Sequence, residues 1–397
     1  MYYVVYLYIL LMVFSCIKSL IRLCKSKKFL NSNANNRILL KKHSKVKVVI
    51  PAMNEVNNVK KSVNYFKKLS NFCEVIYVTT SKEKNMSTYN EIKKEIIKQH
   101  SKNIEVINCP NLSGTMANQL NYATKDLNDE EIIAIYNIDS EPEENTFKYV
   151  IDNIDDNSVY QQVSYFDDKN KGIMQSAENW QNRWSIVYEM GKYLSNRKIE
   201  FKYCIGHGLF MKKKILEKYG YFSEKDINED NEFGYRLIIN KIMIKPIPYL
   251  EQADFARNKQ IYVKQQSTWV NGPLYAFRYY KNNPKNLKNF IISLLNFKAF
   301  LSWLLLPLIS YMCVIISLIY NVKIFVIVML ILIFYITGIN YLSNKILIKK
   351  GYLKVKYKID IMSDLLFFML HSFGGYITIY KVITGKNNIK NKYNTEK

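Results

Sequence analysis

Hydrophobic and polar positions divide the chain into three parts. An apolar, uncharged run covers residues 2–17 and is followed by closely spaced lysine and arginine side chains. From residue 45 to about residue 285, short β-branched runs alternate with amphipathic stretches of helical period. Long apolar runs return beyond residue 286. The pattern predicts an apolar N-terminal helix, a central α/β domain and an apolar C-terminal region.

Strands and helices alternate through much of the central part. This order is typical of a doubly wound sheet, which binds its ligands at the carboxyl ends of the strands. We predict strands at 46–50, 74–78, 104–107, 131–138, 158–166, 203–211 and 245–249. We predict helices at 54–69, 90–99, 116–123, 177–194 and 212–219, and an amphipathic aromatic segment at 259–280.

The apolar flanks predict membrane segments. Residues 1–24 have the length of a transmembrane helix, and they lack both the leading positive charge and the cleavage site of a signal peptide. Two further spans are expected at 300–320 and 323–341. Residues 364–383 fit a third span, a re-entrant segment or an interfacial helix. The lysine-rich loop predicted at 344–358 should be cytoplasmic, because positive loops stay on that side.

Four regions and a linker follow from these patterns. We expect a transmembrane helix at 1–24, a cytoplasmic α/β domain at 45–285 and a C-terminal membrane region at 286–385. A polar linker should cover 30–44, and a basic cytoplasmic tail should cover 386–397. The protein is therefore expected in the cell membrane, crossing it more than once.

The net charge of the chain limits the classes of molecule that it is expected to bind. Lys and Arg total 57 against 33 for Asp and Glu, a net charge of +24. Nucleic acid, anionic lipid and phosphorylated small molecules would all be attracted to such a surface. The basic residues cluster beside apolar runs, at 18–47 and 341–358, which favours a membrane surface over nucleic acid. The six cysteines lack zinc or redox spacing, and we expect no disulfide framework.

A cluster of acidic and amide side chains precedes a predicted helix at Asn228, Glu229 and Asp230. Negative charge is favoured at a helix N-terminus, so Asp230 can stay ionised there. An ionised carboxylate could accept a proton from an attacking hydroxyl. The same residues would also suit an ordinary helix cap.

A second acidic motif, Asn137 and Asp139, comes just after an apolar strand. A carboxylate at the carboxyl edge of a parallel strand can hold a hard divalent cation, which in turn neutralises a diphosphate. Asp and Asn are also ordinary turn residues, and that alternative stays open.

Three further segments have both a functional and a structural interpretation. Residues 48–55 contain the end of a strand, a proline that breaks it and a polar pair. This segment is either a loop that binds a ligand or a plain strand-to-helix turn. Residues 265–269 place polar side chains and a tryptophan before the membrane region, as a binding motif or an interfacial anchor. His207 is either structural or a ligand contact. The aromatic helix at 177–194 is expected in the core or facing the membrane.

In this order the motifs resemble those of the membrane-bound inverting family 2 glycosyltransferases, whose catalytic domain has the GT-A fold. The resemblance runs from Val46 to about Trp269 and extends to the flanking transmembrane helices. Gly206 to Phe222 is also similar to the family's glycine-rich strand and the helix that follows it.

The resemblance implies a role for each motif. The nucleotide-contacting residues would be Pro51, Ala52, Asn54 and Glu55. Asp139 would be the metal ligand, in a diphosphate motif that begins at Asn137. Asp230 would be the general base, with Glu229 beside it. The acceptor and diphosphate would be contacted by Gln265, Thr268 and Trp269.

The chain departs from the family pattern at several positions. Asn137 replaces a carboxylate, Met116 stands near a family lysine, and Thr268 replaces an arginine. Residues 79–81 are Thr, Thr and Ser where many relatives have an acidic pair. These departures leave a second interpretation open: a catalytically degenerate membrane protein that binds a nucleotide sugar or scaffolds glycan assembly.

The resemblance implies inverting transfer of a hexosyl or N-acetylhexosaminyl group. The donor would be a nucleotide-diphospho-sugar, a UDP-sugar in the first place, bound with Mg²⁺ or Mn²⁺. The acceptor would be a lipid-linked glycan or a polysaccharide in cell-surface glycan synthesis.

Overall fold

The computed structural model describes residues 2–32, 45–168, 170–195, 200–354 and 358–387. Most of the linker predicted at 30–44 and most of the tail predicted at 386–397 lie outside the described residues. Residues 355–357 of the predicted lysine-rich loop also lie outside them.

The strands form one large and one small sheet. Their bounds are β1 Val46–Pro51, β2 Cys73–Thr80, β3 Ile104–Cys109, β4 Ile132–Ile135, β5 Glu141–Pro142, β6 Ser158–Gln161, β7 Ser164–Tyr165, β8 Leu209–Lys212, β9 Met243–Pro246 and β10 Glu251–Gln252. The seven-stranded sheet has the order β3-β2-β1-β4-β8-β6-β9, and the three-stranded sheet has the order β5-β10-β7. Strands β1 to β4 are parallel, whereas β8 is antiparallel to both β4 and β6.

Helices cover the sheet and continue into the apolar C-terminal region. The helices of the central part are α2 Val56–Lys68, α3 Ser87–Gln99, α4 Met116–Thr124, α5 Glu144–Asn153, α6 Ile173–Arg183, α7 Gly191–Tyr193, α8 Lys213–Lys218, α9 Glu229–Ile239, α10 Lys259–Trp269, α11 Asn271–Leu274 and α12 Ala276–Lys281. The flanking helices are α1 Tyr2–Ser32, α13 Leu287–Tyr320, α14 Val322–Ile333, α15 Ile339–Lys349 and α16 Ile361–Ile383. Two π-helical segments, Trp184–Met190 and Phe334–Gly338, continue α6 and α14.

Strand β1 shows why the central strands are apolar at almost every position. Successive side chains of a strand point to opposite faces of the sheet. Val48 packs in a cluster with Val59 and Phe66 of α2, whereas Val49 packs in another cluster with Leu120 of α4. Both faces of the sheet are therefore covered, which explains the continuous β-branched run. The predicted doubly wound α/β architecture is confirmed.

The strand order reverses between β1 and β4. Strands β2 and β3 continue on one side of β1, and β4 and β8 continue on the other. In open α/β sheets the crevice at such a reversal is where ligands bind, outside the carboxyl ends of the strands. Residues 51–55 and 137–139 follow β1 and β4, which are neighbouring parallel strands, and therefore lie at this edge of the sheet.

Within the described ranges, four helices are long and apolar enough to cross a membrane: Tyr3–Ser32, Leu287–Tyr320, Val322–Lys349 and Ile361–Ile383. The segment at 364–383 is thus one long helix of spanning length. The loop predicted at 344–358 is wrong in its first part, because α15 continues to Lys349. Its polar Asn344 is fully buried against the rest of the protein, which allows the helix to continue past the apolar run.

The strand predicted at 131–138 is observed only as Ile132–Ile135, and two further predicted strands are also shorter than expected. The strand predicted at 203–211 forms only from Leu209, because Gly208 has a φ of +62° and interrupts the extended backbone. A Cβ at this position would lie 2.9 Å from the carbonyl oxygen of Gln162, so the position requires glycine. The strand predicted at 158–166 divides into β6 of the large sheet and β7 of the small one.

Candidate active site

A cavity of about 400 Å³ opens at the carboxyl edge of the sheet and reaches α13 and α16. Its walls come from the β4–β5 connection, the segment before β8, the start of α9, helix α10 and the first π-helical segment. The sequence-predicted residues in these walls are Asn137, Asp139, Glu229, Asp230, Gln265, Thr268 and Trp269. The other predicted residues, Pro51, Ala52, Asn54 and Glu55, lie at the end of β1 and not in the cavity wall.

Asp230 lies in the first turn of α9. Its Oδ1 accepts a 2.7 Å hydrogen bond from the backbone N–H of Asn231. A Cβ at Gly206 would lie 3.2 Å from Asp230 Oδ2 and 3.6 Å from the terminal methyl group of Met116. Gly206 therefore lets the segment before β8 approach the carboxylate, and the Met116 methyl group provides an apolar neighbour.

The side chain of Asn228 does not cap α9, although Asn228 occupies the N-cap position. Its Nδ2 instead contacts the backbone oxygen of Trp269, at 3.5 Å. Glu229, beside Asp230, is 3% exposed. The simple cap interpretation of this cluster is thus not what the side-chain contacts show, and the acidic groups face the cavity.

Helix α9 is held tightly behind Asp230. Arg236 forms a 2.7 Å ion pair with Glu232 one turn earlier, and its guanidinium also donates to the backbone oxygens of Tyr219 and Tyr221. A Cβ at Gly234 would lie 2.6 Å from the backbone nitrogen of Cys204. These contacts fix the helix, and with it the direction of the carboxylate.

Asp139 follows β4 in a tight turn. The N–H of Asn137 donates to Ser140 Oγ at 3.3 Å, and the N–H of Ser140 donates to the carbonyl oxygen of Asn137 at 3.1 Å. The turn interpretation and the ligand interpretation are therefore compatible. The turn directs Asp139, which is 7% exposed, into the cavity wall together with Asp254.

The number of side chains near Asp139 that could act as metal ligands is small. Among the described residues, no group of three or more His, Cys, Asp or Glu side chains is placed to hold an ion. Mg²⁺ is commonly bound through one or two carboxylates, with substrate phosphates and water completing its shell. The residues present thus fit a divalent ion shared with a diphosphate.

The segment after β1 is held by residues outside the predicted motif, namely Glu83, Thr88 and Gln119. Asn54 has a φ of +60°, and its N–H donates to Glu83 at 3.3 Å. The N–H of Glu55 donates to Thr88 Oγ1 at 3.0 Å. Gln119 Nε2 donates to the carbonyl oxygens of Ala52 and Val78, at 3.1 and 2.7 Å. Burial alone would raise the pKa of Glu83, but the hydrogen bonds from Ser87, Thr88 and Asn54 lower it.

The aromatic helix predicted at 177–194 contributes to the cavity, which corrects the expectation that it lies only in the core or faces the membrane. Trp184 Nε1 donates to the hydroxyl of Tyr203 at 2.8 Å, and that hydroxyl donates to Glu189 at 2.8 Å. Burial raises the pKa of Glu189. Burial lowers the pKa of Lys192 to about 8. The sequence could have revealed this contribution to the cavity, because polar residues such as Glu189 and Lys192 interrupt an otherwise aromatic helix.

His207 has the structural role, and its position is compatible with the ligand contact. Its Nδ1 pairs with Glu251, which also accepts a 3.0 Å hydrogen bond from Ser164 Oγ. Through this pair His207 connects the segment before β8 to the small sheet. His207 also lines the cavity.

Two helices of spanning length contribute to the cavity wall, which the sequence did not reveal. Trp303 of α13 stacks on His371 of α16 with ring centroids 5.0 Å apart. His371 Nδ1 lies 3.0 Å from the hydroxyl of Tyr262 on α10. Helix α10, with Gln265 and Trp269, therefore joins the sheet edge to the apolar helices.

Comparison with known proteins agrees with this architecture. Residues 47–220 match the family model for glycosyl transferase family 2. A mannosyltransferase from Pyrobaculum calidifontis, solved in complex with GDP-Man and Mn²⁺, shares the fold with a TM-score of 0.59 and 11% sequence identity. The match covers 94% of this chain and 98% of that chain.

A nucleotidyl transferase from Methanothermobacter thermautotroptrophicus matches with a TM-score of 0.30 and 11% identity, over 60% of this chain and 99% of that chain. A TM-score this low does not indicate a shared fold. No curated protein matches the chain. Residues 47–220 of this chain are thus similar to family 2 glycosyltransferases, and the chain shares the GT-A fold.

Proposed function

We propose that the chain is a membrane-bound inverting glycosyltransferase that acts on a lipid-linked or polysaccharide acceptor in cell-surface glycan synthesis. One observation carries this proposal. A single cavity has Asp139 and Asp230 at the sheet edge and Trp303 and His371 on helices of spanning length. A soluble nucleotide sugar and an acceptor held at a membrane could therefore meet in it.

The donor would bind along the carboxyl ends of β1 and β4. Its base would lie toward residues 51–55 and its diphosphate toward Asn137 and Asp139, because these segments follow neighbouring strands where the strand order reverses. A Mg²⁺ or Mn²⁺ ion held by Asp139 would neutralise the charge of the leaving diphosphate. The GDP-Man and Mn²⁺ bound by the similar mannosyltransferase support a nucleotide sugar in general, and a UDP-sugar remains our first expectation.

Asp230 would act as the general base, with Glu229 beside it. Its carboxylate takes the proton of an acceptor hydroxyl, and the hydroxyl oxygen attacks the anomeric carbon from the face opposite the diphosphate. The bond between that carbon and the diphosphate oxygen breaks, and the nucleoside diphosphate leaves with the electron pair. The first turn of α9 favours the charged carboxylate. General-base action commonly contributes about a hundred- to ten-thousand-fold in rate.

The acceptor end of the site would be built by α10 with α13 and α16. Gln265, Thr268 and Trp269 would contact the acceptor or the diphosphate, since they line the cavity between Asp230 and the apolar helices. The basic segments beside the apolar helices support a cytoplasmic position for the catalytic domain.

Transfer of radiolabel tests the proposal. Purified full-length protein would be incubated with membranes of its source, Mg²⁺ or Mn²⁺ and one labelled nucleotide sugar at a time, including UDP- and GDP-sugars. We expect label to enter lipid or polymer from at least one donor, and chelation of the metal to stop it. Binding of a nucleotide sugar without transfer from any donor would contradict catalysis and favour the degenerate, non-catalytic interpretation.

A further inference from the structure

Two buried polar atoms in the cavity wall have no hydrogen-bond partner among the described residues. They are Nε2 of Gln266, whose residue is 1% exposed, and Oδ1 of Asn228, whose residue is 8% exposed. Both residues line the cavity. Buried polar groups in proteins are nearly always paired, so an unsatisfied pair at a cavity wall calls for a partner that enters the cavity.

The position of Gln266 is fixed by α16. A Cβ at Gly374 would lie 2.6 Å from Gln266 Cβ and 2.7 Å from the backbone nitrogen of Ser267. Helices α10 and α16 therefore approach each other closely, and the Gln266 side chain has little room to turn away. Asn228 is also restrained, because its Nδ2 contacts the Trp269 backbone oxygen in the last turn of the same helix α10.

The two unpaired atoms indicate the chemistry of the group that binds them. Gln266 Nε2 donates a hydrogen bond, whereas Asn228 Oδ1 accepts one. Hydroxyl groups can accept from the first and donate to the second, whereas an ionised phosphate only accepts and an ammonium only donates. The indole rings of Trp269 and Trp303 lie in the same cavity and offer flat apolar surface. A hydroxylated ring with an apolar face, which is a sugar, fits both features.

We propose that Gln266 and Asn228 bind hydroxyl groups of the acceptor, and that the acceptor is itself a sugar and not a bare lipid phosphate. This inference rests on the proposed function and defines its acceptor more closely. The donor sugar also carries hydroxyl groups and is the other possible source. The acceptor is favoured because Gln266 contacts α16, on the side of the cavity formed by the helices of spanning length.

The test compares wild type with Gln266→Met in the full-length, detergent-purified protein, using the donor and the glycan acceptor found by the radiolabel assay. Methionine has a similar volume but cannot donate the hydrogen bond. We expect the KM for the acceptor to rise about tenfold to a hundredfold, with the KM for the donor unchanged. We expect an acceptor analogue lacking the bound hydroxyl to lose a similar factor with wild type and nothing further with Gln266→Met.

Thermal unfolding distinguishes a binding role from a structural one. If Gln266 only stabilised the fold, its replacement would lower the Tm. Gln266→Met removes a buried unpaired donor, so its Tm should equal or exceed that of wild type. Asn340→Leu is the matched control: Asn340 is 0% exposed, both of its side-chain polar atoms are unpaired among the described residues, and it is not in the cavity wall. It should also keep or raise the Tm, but leave the acceptor KM unchanged.

Several outcomes would overturn the inference. An unchanged acceptor KM in Gln266→Met would mean that the amide serves only a bound water or the fold. A raised donor KM with an unchanged acceptor KM would assign the hydroxyl to the donor. Transfer to a polyprenyl phosphate without a sugar, but not to a glycan, would refute the sugar acceptor and leave the glycosyltransferase proposal intact. That proposal fails only if no donor supports transfer to any acceptor.

Discussion

Lys192 lies in the cavity wall, where burial and the nearby Arg22 and Lys18 lower its pKa to about 8, against the opposing influence of Glu200 and Glu189. In the unfolded chain its pKa should return to about 10.4. Below pH 8 the folded protein therefore holds a protonated amine in an unfavourable place. That cost disappears as the pH rises from 8 to about 10.4, because the folded form then releases its proton first.

Lys192→Met should accordingly raise the Tm at pH 7, and the gain should shrink as the pH rises from 8 to about 10.4. Thermal unfolding in a series of buffers measures this. The same substitution at Lys218, which is exposed, should have little effect at any pH. A Tm gain at Lys192 that stays constant across this range would show that the amine is not destabilised by its surroundings.

The sequence predicted where a residue lies when the position of that residue in a strand or helix was enough to place it at the sheet edge. The sequence placed Asp139 after a strand and Asp230 at the start of a helix, and both line one cavity. It could not show that Tyr203 connects Trp184 to Glu189, because those contacts join segments that are separate in the chain. Nor could it show that Nε2 of Gln266 is buried without a hydrogen-bond partner in the described part of the chain.

At the scale of elements, the contact between α10 and α16 depends on adjacent glycines with different surroundings. A Cβ at Gly374 would lie 2.6 Å from Gln266 Cβ and 2.7 Å from a backbone nitrogen, whereas one at Gly375 would meet the flexible end of Leu304 at 3.2 Å. Gly374→Ala should destabilise the protein by about 1–3 kcal/mol, because the helices must move apart. Gly375→Ala should be near neutral or stabilising, since alanine favours a helix interior over glycine.

Thermal unfolding of the two variants in detergent separates these cases, and the acceptor KM should rise only in Gly374→Ala. Equal stability of the two variants would mean that α16 does not pack closely against α10 in solution. The pair is well matched, because both changes add one methyl group to the same helix.

Strands and helices with a clear period were predicted close to their observed bounds. The strand at 46–50 and the helix at 116–123 are examples, observed as Val46–Pro51 and Met116–Thr124. The small sheet was missed because β5, β7 and β10 have two residues each, too few to show a period of two. The π-helical segment at Trp184–Met190 was missed because it continues a helix without a break in the hydrophobic pattern.

For the whole molecule, the basic flanks of the apolar helices predict a cytoplasmic catalytic domain. Cys24 is the exposed one among the six free cysteines and lies in the basic part of α1, next to Arg22 and Lys25. A membrane-impermeant maleimide should therefore label the chain only after the cells are permeabilised. Cys24→Ser should abolish the labelling, and labelling of wild type in intact cells would reverse the proposed orientation.

The apolar and α/β parts of the chain were both predictable from composition and period. Their joint contribution to one cavity was not, because it depends on how α10, α13 and α16 pack together. Trp303 and His371, which belong to helices of spanning length, line the same cavity as Asp139. Under the proposed function, the chemistry at the sheet edge therefore serves an acceptor at those helices.

Asp230→Asn tests that chemistry most directly. The amide that replaces the carboxylate can still accept the hydrogen bond from Asn231 N–H, so the fold and the binding of the donor should be retained. In the radiolabel assay, we predict that sugar transfer falls by about a hundred- to ten-thousand-fold, while the affinity for the nucleotide sugar, measured by calorimetry, stays close to that of wild type. Near-normal transfer by this variant would contradict the account.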